Sequence, residues 1–172
     1  MDQWIPSEEE TFAQIGLLLL LTQQVEFVTS RLIGIAYPNG APSWEELEAL
    51  EHKTLGGLAR TLKERVVIDP KFEGLLDHFV KGRNLFVHRL NTQPWFDTHS
   101  EAGRDEVWKF LENYQKLLKE IYLVVTSSVF KHVEDAGMPE TKWHEELRRT
   151  GFLQEIKKYD SRSKIVFRRR KP

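Results

Sequence analysis

The chain has 172 residues, 40% hydrophobic and 30% charged, enough apolar side chain for one core and too little length for two full domains. The absence of cysteine excludes disulfides and thiolate metal sites, nothing argues for an oxidising compartment, and a cytoplasmic location is the expectation. The net charge of −1 divides unevenly: residues 139–172 carry eleven Lys and Arg against five Asp and Glu, so the body stands at −7 and the tail at +6. That split excludes a uniformly basic nucleic-acid binder and confines attraction to phosphate to the tail or to a local patch.

The first ten residues, MDQWIPSEEE, are acidic where a secretory leader is basic, and the apolar run Ile15 to Leu21 is too short to span a bilayer, so no membrane segment is expected. Ser7 with Glu10 reads as a capping box that starts a helix running to about Gly34, with Phe12, Ile15, Leu18, Leu19, Val25, Val28 and Leu32 at three- and four-residue steps. Its LLLLL segment, 17–21, is apolar all round and requires cover on several sides. The interior of a bundle is the first expectation and a subunit interface the second.

After a loop built on Pro38, Asn39, Gly40 and Pro42, a second capping box, Ser43 with Glu46, marks a short helix. TLGGLARTLKERV follows, with Leu55, Leu58, Leu62 and Val66 at helical spacing. Gly56 and Gly57 together cost about 2 kcal/mol of helix propensity there, which close helix packing explains better than a ligand role. Asp69 before Pro70 is an N-cap acid with proline at the first helical position, opening a helix to about Leu90.

A loop containing NTQPWF comes next. Trp95 and Phe96 read as a plug on the core in preference to a base-stacking platform. A third capping box, Thr98 with Glu101, begins a long helix whose Val107, Leu111, Tyr114, Leu118, Ile121 and Val125 form one seam, ending before Gly137. Beyond Pro139, one or two short helices precede an extended basic end, KIVFRRRKP, whose last five residues, RRRKP, suit either RNA phosphates or a disordered solvated tail. The sum is an all-α protein, a four- to five-helix up-and-down bundle over residues 1–138 with a short helical, basic C-terminal extension over 139–172.

The residues that demand a chemical explanation lie in KGRNLFVHRL, 81–90. With Phe72 at zero and about 100° per residue, Leu76, Phe79, Phe86 and Leu90 form a core stripe, Arg83 falls at about 20° within it, and Asn84 and His88 lie near 120° and 160°. Asn84 and His88 are neighbours four residues apart, and the long Arg83 side chain can reach them. An unpaired guanidinium in a core costs on the order of 3 to 5 kcal/mol, so Arg83 requires an acid, for which Glu26 is a candidate, or a phosphate or a wet cleft. By residue mechanics alone, an ordinary ion pair beside two surface residues accounts for the segment.

RNLFVH, Arg83 to His88, also resembles the Arg-x4-His signature, with a polar residue after the arginine, of the HEPN superfamily of helical-bundle proteins. Many of its members are metal-independent endoribonucleases acting as symmetric dimers with two motifs facing one cleft, while others only bind RNA, nucleotides or partners. The resemblance implies catalytic roles for Arg83 and His88 with Asn84 assisting, no cofactor, RNA as substrate and a homodimer. The chemistry suits those residue types: RNA supplies its own nucleophile, histidine exchanges a proton near neutrality, and arginine's fork matches a phosphate gaining charge.

Lys81 and Arg89 flank the motif and would lengthen an RNA-binding basic surface, although solvated charge is the simpler reading of either. HEELR, 144–148, begins like a zinc-protease helix but has Arg148 where the second histidine must stand, and no metal site is expected. The alternative function is a non-catalytic bundle binding RNA or a protein partner, as one half of a toxin–antitoxin pair.

Overall fold

The computed structural model describes residues 4–35, 45, 48–49, 53–135 and 167–169. Of the short helix expected after Ser43 only residues 45, 48 and 49 are described, all three helical, and the segments of the extension between 139 and 166, HEELR and the final RKP lie outside the described residues. The described fold is an all-α bundle of four helices: α1 (Glu8–Ile35), α2 (Leu55–Arg65), α3 (Pro70–His88) and α4 (Glu101–Asp135). α1 packs on α4 and α2, and α3 packs on α2 and α4, so the helices form a closed ring around one core.

The first capping box forms as the sequence implies. The Ser7 amide donates to Glu10 Oε2 at 2.7 Å and the Glu10 amide donates to Ser7 Oγ at 3.1 Å. α2 is capped by Thr54, whose Oγ1 accepts from the Gly57 amide, and α3 by Asp69, which accepts from the Lys71 and Phe72 amides with Pro70 at N1.

The α4 cap differs from expectation. Ser100 Oγ accepts from the Gly103 amide, and Asp97 in turn accepts from the amides of His99 and Ser100. Thr98, the expected cap, is buried and donates instead to Glu8 Oε1 of α1 at 3.3 Å. These bonds hold the Asp97 carboxyl below its ordinary pKa, first through the Ser100 hydroxyl and then through the two amides.

Gly103 is fixed by this turn. A Cβ there would overlap the Asp97 carbonyl and side chain, and the Asp97 carbonyl belongs to backbone that cannot swing away. Gly103→Ala is therefore expected to lower stability by roughly 1 to 3 kcal/mol in a denaturant titration, against the gain that alanine brings to an ordinary helical position. Gly56 shows the contrast: an added Cβ meets only Val80 Cγ1 at 3.8 Å, so helix packing there does not demand glycine.

The α4 seam is buried at every predicted position, with Val107, Leu111, Ile121 and Val125 fully so. Phe72, Leu76, Phe79, Phe86 and Leu90 of the motif region are likewise buried. Each such side chain stabilises the fold by about 1.5 to 3 kcal/mol through burial. Trp95 and Phe96 pack against this core, Trp95 ring to ring with Phe110 at 5.1 Å, which makes them a plug.

Two helix ends come earlier than the spacing suggests. Val66 leaves α2 with extended backbone and begins strand β1 (Val66–Ile68), where its buried–exposed–buried pattern replaces helical spacing. α3 stops at His88, and Leu90 is buried from a single 3-10 turn, Leu90–Thr92. β1 pairs antiparallel with β2 (Phe167–Arg169), Val66 opposite Arg169 and Ile68 opposite Phe167. Part of the basic end is thus tied to the bundle, so Arg168 and Arg169 are not part of a disordered tail.

α1 and α4 run side by side in the same direction. Near their starts Arg104 Nε donates to the Pro6 carbonyl at 2.8 Å, further along Gln14 bonds Gln115, and beyond that Val28 and Arg31 share a groove with Tyr122 and Val129. Up to Val25 the bundle buries one stripe of α1, Thr11, Leu18, Thr22 and Val25, and the burial widens in the last turns to Val28, Thr29, Ser30, Leu32 and Ile33. Within LLLLL only Leu18 is buried, while Leu17, Leu19 and Leu20 are exposed, as is Phe12, so the bundle does not provide the cover expected of its interior. By length and composition alone, Glu8–Gly34 is long and apolar enough to cross a membrane, a wider window than the pentaleucine run.

Candidate functional site

Arg83 leaves α3 on its core side and meets α1. Its Nε donates to Glu26 Oε1 at 2.7 Å, and the two side chains keep only 14% and 23% of their exposure. The same guanidinium turns Nη1 outward, to His88 Nε2 at 2.7 Å and to Asn84 Oδ1 at 3.4 Å. The helical geometry that separates Arg83 from its two neighbours by angle therefore brings them together by reach.

The bond to His88 constrains the imidazole. Arginine carries five donors and no acceptor, so Nε2 accepts with its lone pair and the proton of the neutral ring sits on Nδ1. The cluster has a defined polarity: an acid on α1 orients a cation, and the cation donates to an exposed histidine. Asn84 is exposed beside them and adds an acceptor to the same Nη1.

Tyr114 of α4 stands behind the pair. Its ring lies 4.7 Å from that of Phe86 and 6.3 Å from that of Phe79. Thr22 Oγ1 spends its proton on the Leu18 carbonyl, so the Tyr114 hydroxyl donates to Thr22 at 2.9 Å. Burial pushes the Tyr114 hydroxyl up to about 12, with the Thr22 bond and the nearby Glu26 and Arg83 charges as smaller influences.

A raised pKa on an acid that is neutral when folded gives stability that is complete below the unfolded value and lost as pH rises through the folded one. Stability should therefore decline between about pH 10 and 12, and Tyr114→Phe should lessen that alkaline dependence in pH-stepped denaturation. Its position on the α4 seam marks Tyr114 as core; nothing in the sequence marks it as the wall of a polar cluster.

Lys81 and Arg89 are both exposed. Lys81 shares the polar face of α3 with Asn84 and His88, two turns before the histidine. Arg89 is the C-cap residue, out of helical geometry, and turns its carbonyl to Thr92 and Gln93. Among the described residues, neither bonds to the Arg83–His88 pair, and no group of three or more His, Asp or Glu stands together as metal ligands. No family model, curated protein or solved structure matches the chain.

Proposed function

We propose that the protein is a HEPN-like, metal-independent endoribonuclease acting at Arg83 and His88, with a homodimer as its working form. The observation that carries this reading is the 2.7 Å contact between Arg83 Nη1 and the exposed His88 Nε2, on a guanidinium already oriented by Glu26. An incoming RNA phosphate competes for Nη1, because a charge-assisted bond to an anion is stronger than one to neutral imidazole. Its arrival releases the Nε2 lone pair, which takes the proton of the 2′-hydroxyl as that oxygen attacks phosphorus.

The P–O5′ bond breaks, the leaving oxygen takes up a proton, and the products are a 2′,3′-cyclic phosphate and a 5′-hydroxyl. Arg83 stabilises the charge that grows on the phosphate oxygens. Asn84 bonds the same phosphate or steadies the arginine, and Lys81 and Arg89 draw the RNA backbone toward the helix.

A second reading has its own observation. With Nε2 occupied by Arg83, the resting histidine has no lone pair to offer, as suits a module that binds RNA or a protein partner such as an antitoxin without cutting. Incubation of purified protein with RNA in EDTA, with analysis of product ends, separates the two. Cyclic phosphate ends that vanish in His88→Ala support the nuclease; RNA retained intact supports the module; RNA neither cut nor bound defeats both RNA readings.

A further inference from the structure

The outer face of α1 has a symmetric pattern. Glu9, Ala13, Gly16, Leu20, Gln24, Phe27 and Arg31 step by 4, 3, 4, 4, 3 and 4, a spacing that reads the same in both directions about Leu20. At about 100° per residue these seven positions fall within one narrow stripe opposite the buried Leu18, Val25 and Thr29. Leu20 is 60% exposed and Phe27 54% exposed. No charge occurs from Thr11 to Val25.

The stripe is symmetric in spacing and complementary in content. Reversed about Leu20, it sets Glu9 against Arg31, the small Ala13 against the large Phe27, and Gly16 against Gln24. Arg31 lies over the Phe27 ring at 4.6 Å. Beside this half of the helix runs a groove of about 990 Å³ lined by Leu20, Gln23, Phe27 and Arg31 of α1 with Tyr122 and Val129 of α4.

Gly16 adds a separate observation. An added Cβ there meets nothing within 4 Å, so the bundle gives no reason for a glycine that costs about 1 kcal/mol in mid-helix. A second helix passing close over it supplies one.

We infer that a second copy of this chain docks on α1, the two α1 helices antiparallel about a two-fold axis at Leu20, each N-terminal half seated in the groove of the other. Such an isologous contact requires a self-complementary patch, and the Glu9–Arg31 and Ala13–Phe27 pairings provide one. The axis lies in the plane of the interface, so both Arg83–His88 clusters open on the same side of the dimer. They are offset along α1 by about 18 Å, twelve residues between the two Glu26 positions at 1.5 Å each. This dimer stands on the α1 surface alone and does not depend on RNA cleavage.

The test is sedimentation of the full chain at micromolar concentration, with circular dichroism as the check on folding. Wild type should be dimeric, and Leu20→Glu, which sets two carboxylates against each other on the axis, should weaken association by roughly thirtyfold. Glu9→Lys and Arg31→Glu should each dissociate the dimer alone, and mixing the two variants should restore a heterodimer through two opposite-charge pairs. A monomeric wild type, a dimer indifferent to Leu20→Glu, a mixture that stays monomeric, or wild-type chain pelleting with phosphatidylcholine vesicles would each overturn the inference; the last assigns the face to a bilayer.

Discussion

His88→Ala is expected to reduce RNA cleavage by about two to four orders of magnitude, the usual contribution of a positioned acid–base group, while leaving the denaturation midpoint unchanged. The second half of that expectation follows from exposure: His88 buries no core surface, and replacements at such sites usually stay within about 0.5 kcal/mol. On the proposed reading Arg83→Ala should remove the same activity and, because it strands Glu26, should also lower stability. Asn84→Ala, which loses one 3.4 Å contact, should fall between wild type and these two in activity with no change in folding. Cleavage that persists in His88→Ala would place the chemistry elsewhere and remove the basis of the nuclease reading.

Glu26→Ala is expected to cost roughly 2 to 3 kcal/mol of stability. Breaking a fully buried pair costs about 3 to 5 kcal/mol because the surviving charge is left without a counterion, and the partial exposure of both side chains here reduces that. Glu26→Ala combined with Arg83→Met should be less destabilising than the sum of the two single changes, because the double variant leaves no orphan charge. A thermal or urea denaturation cycle over the four proteins measures the coupling. Simple additivity would show that the 2.7 Å contact contributes nothing to the fold.

Much of the site was legible in the sequence because helical periodicity is. The angle that put Arg83 on the core stripe already demanded a counter-charge, and Glu26 was the acid interrupting the first apolar helix; the structure joins them. The convergence of Asn84 and His88 on that guanidinium follows from four-residue spacing and the length of arginine.

Tertiary features were less legible. Thr98 has the composition of a cap, yet its hydroxyl is drawn to Glu8 across the bundle while Ser100 takes the local role. Val66 continues the apolar rhythm of α2 but is captured by a strand partner near the end of the chain, a long-range pairing that no local pattern announces. The pentaleucine run signalled a need for cover without saying what would supply it, since apolarity carries no address.

The β1–β2 ribbon also orders events in time. Its paired residues lie about a hundred positions apart, whereas the contacts inside each helix close over three or four, so the ribbon carries the larger loop-closure cost and should form after the helices have assembled. With three residues per strand, it can open while the bundle stays folded, as a separate low-stability unit. The amides of Val67 and Ile68 should then exchange with solvent faster than those of the α4 seam, whereas the Val66 amide, which donates to the Leu62 carbonyl at the end of α2, should stay protected with the helix.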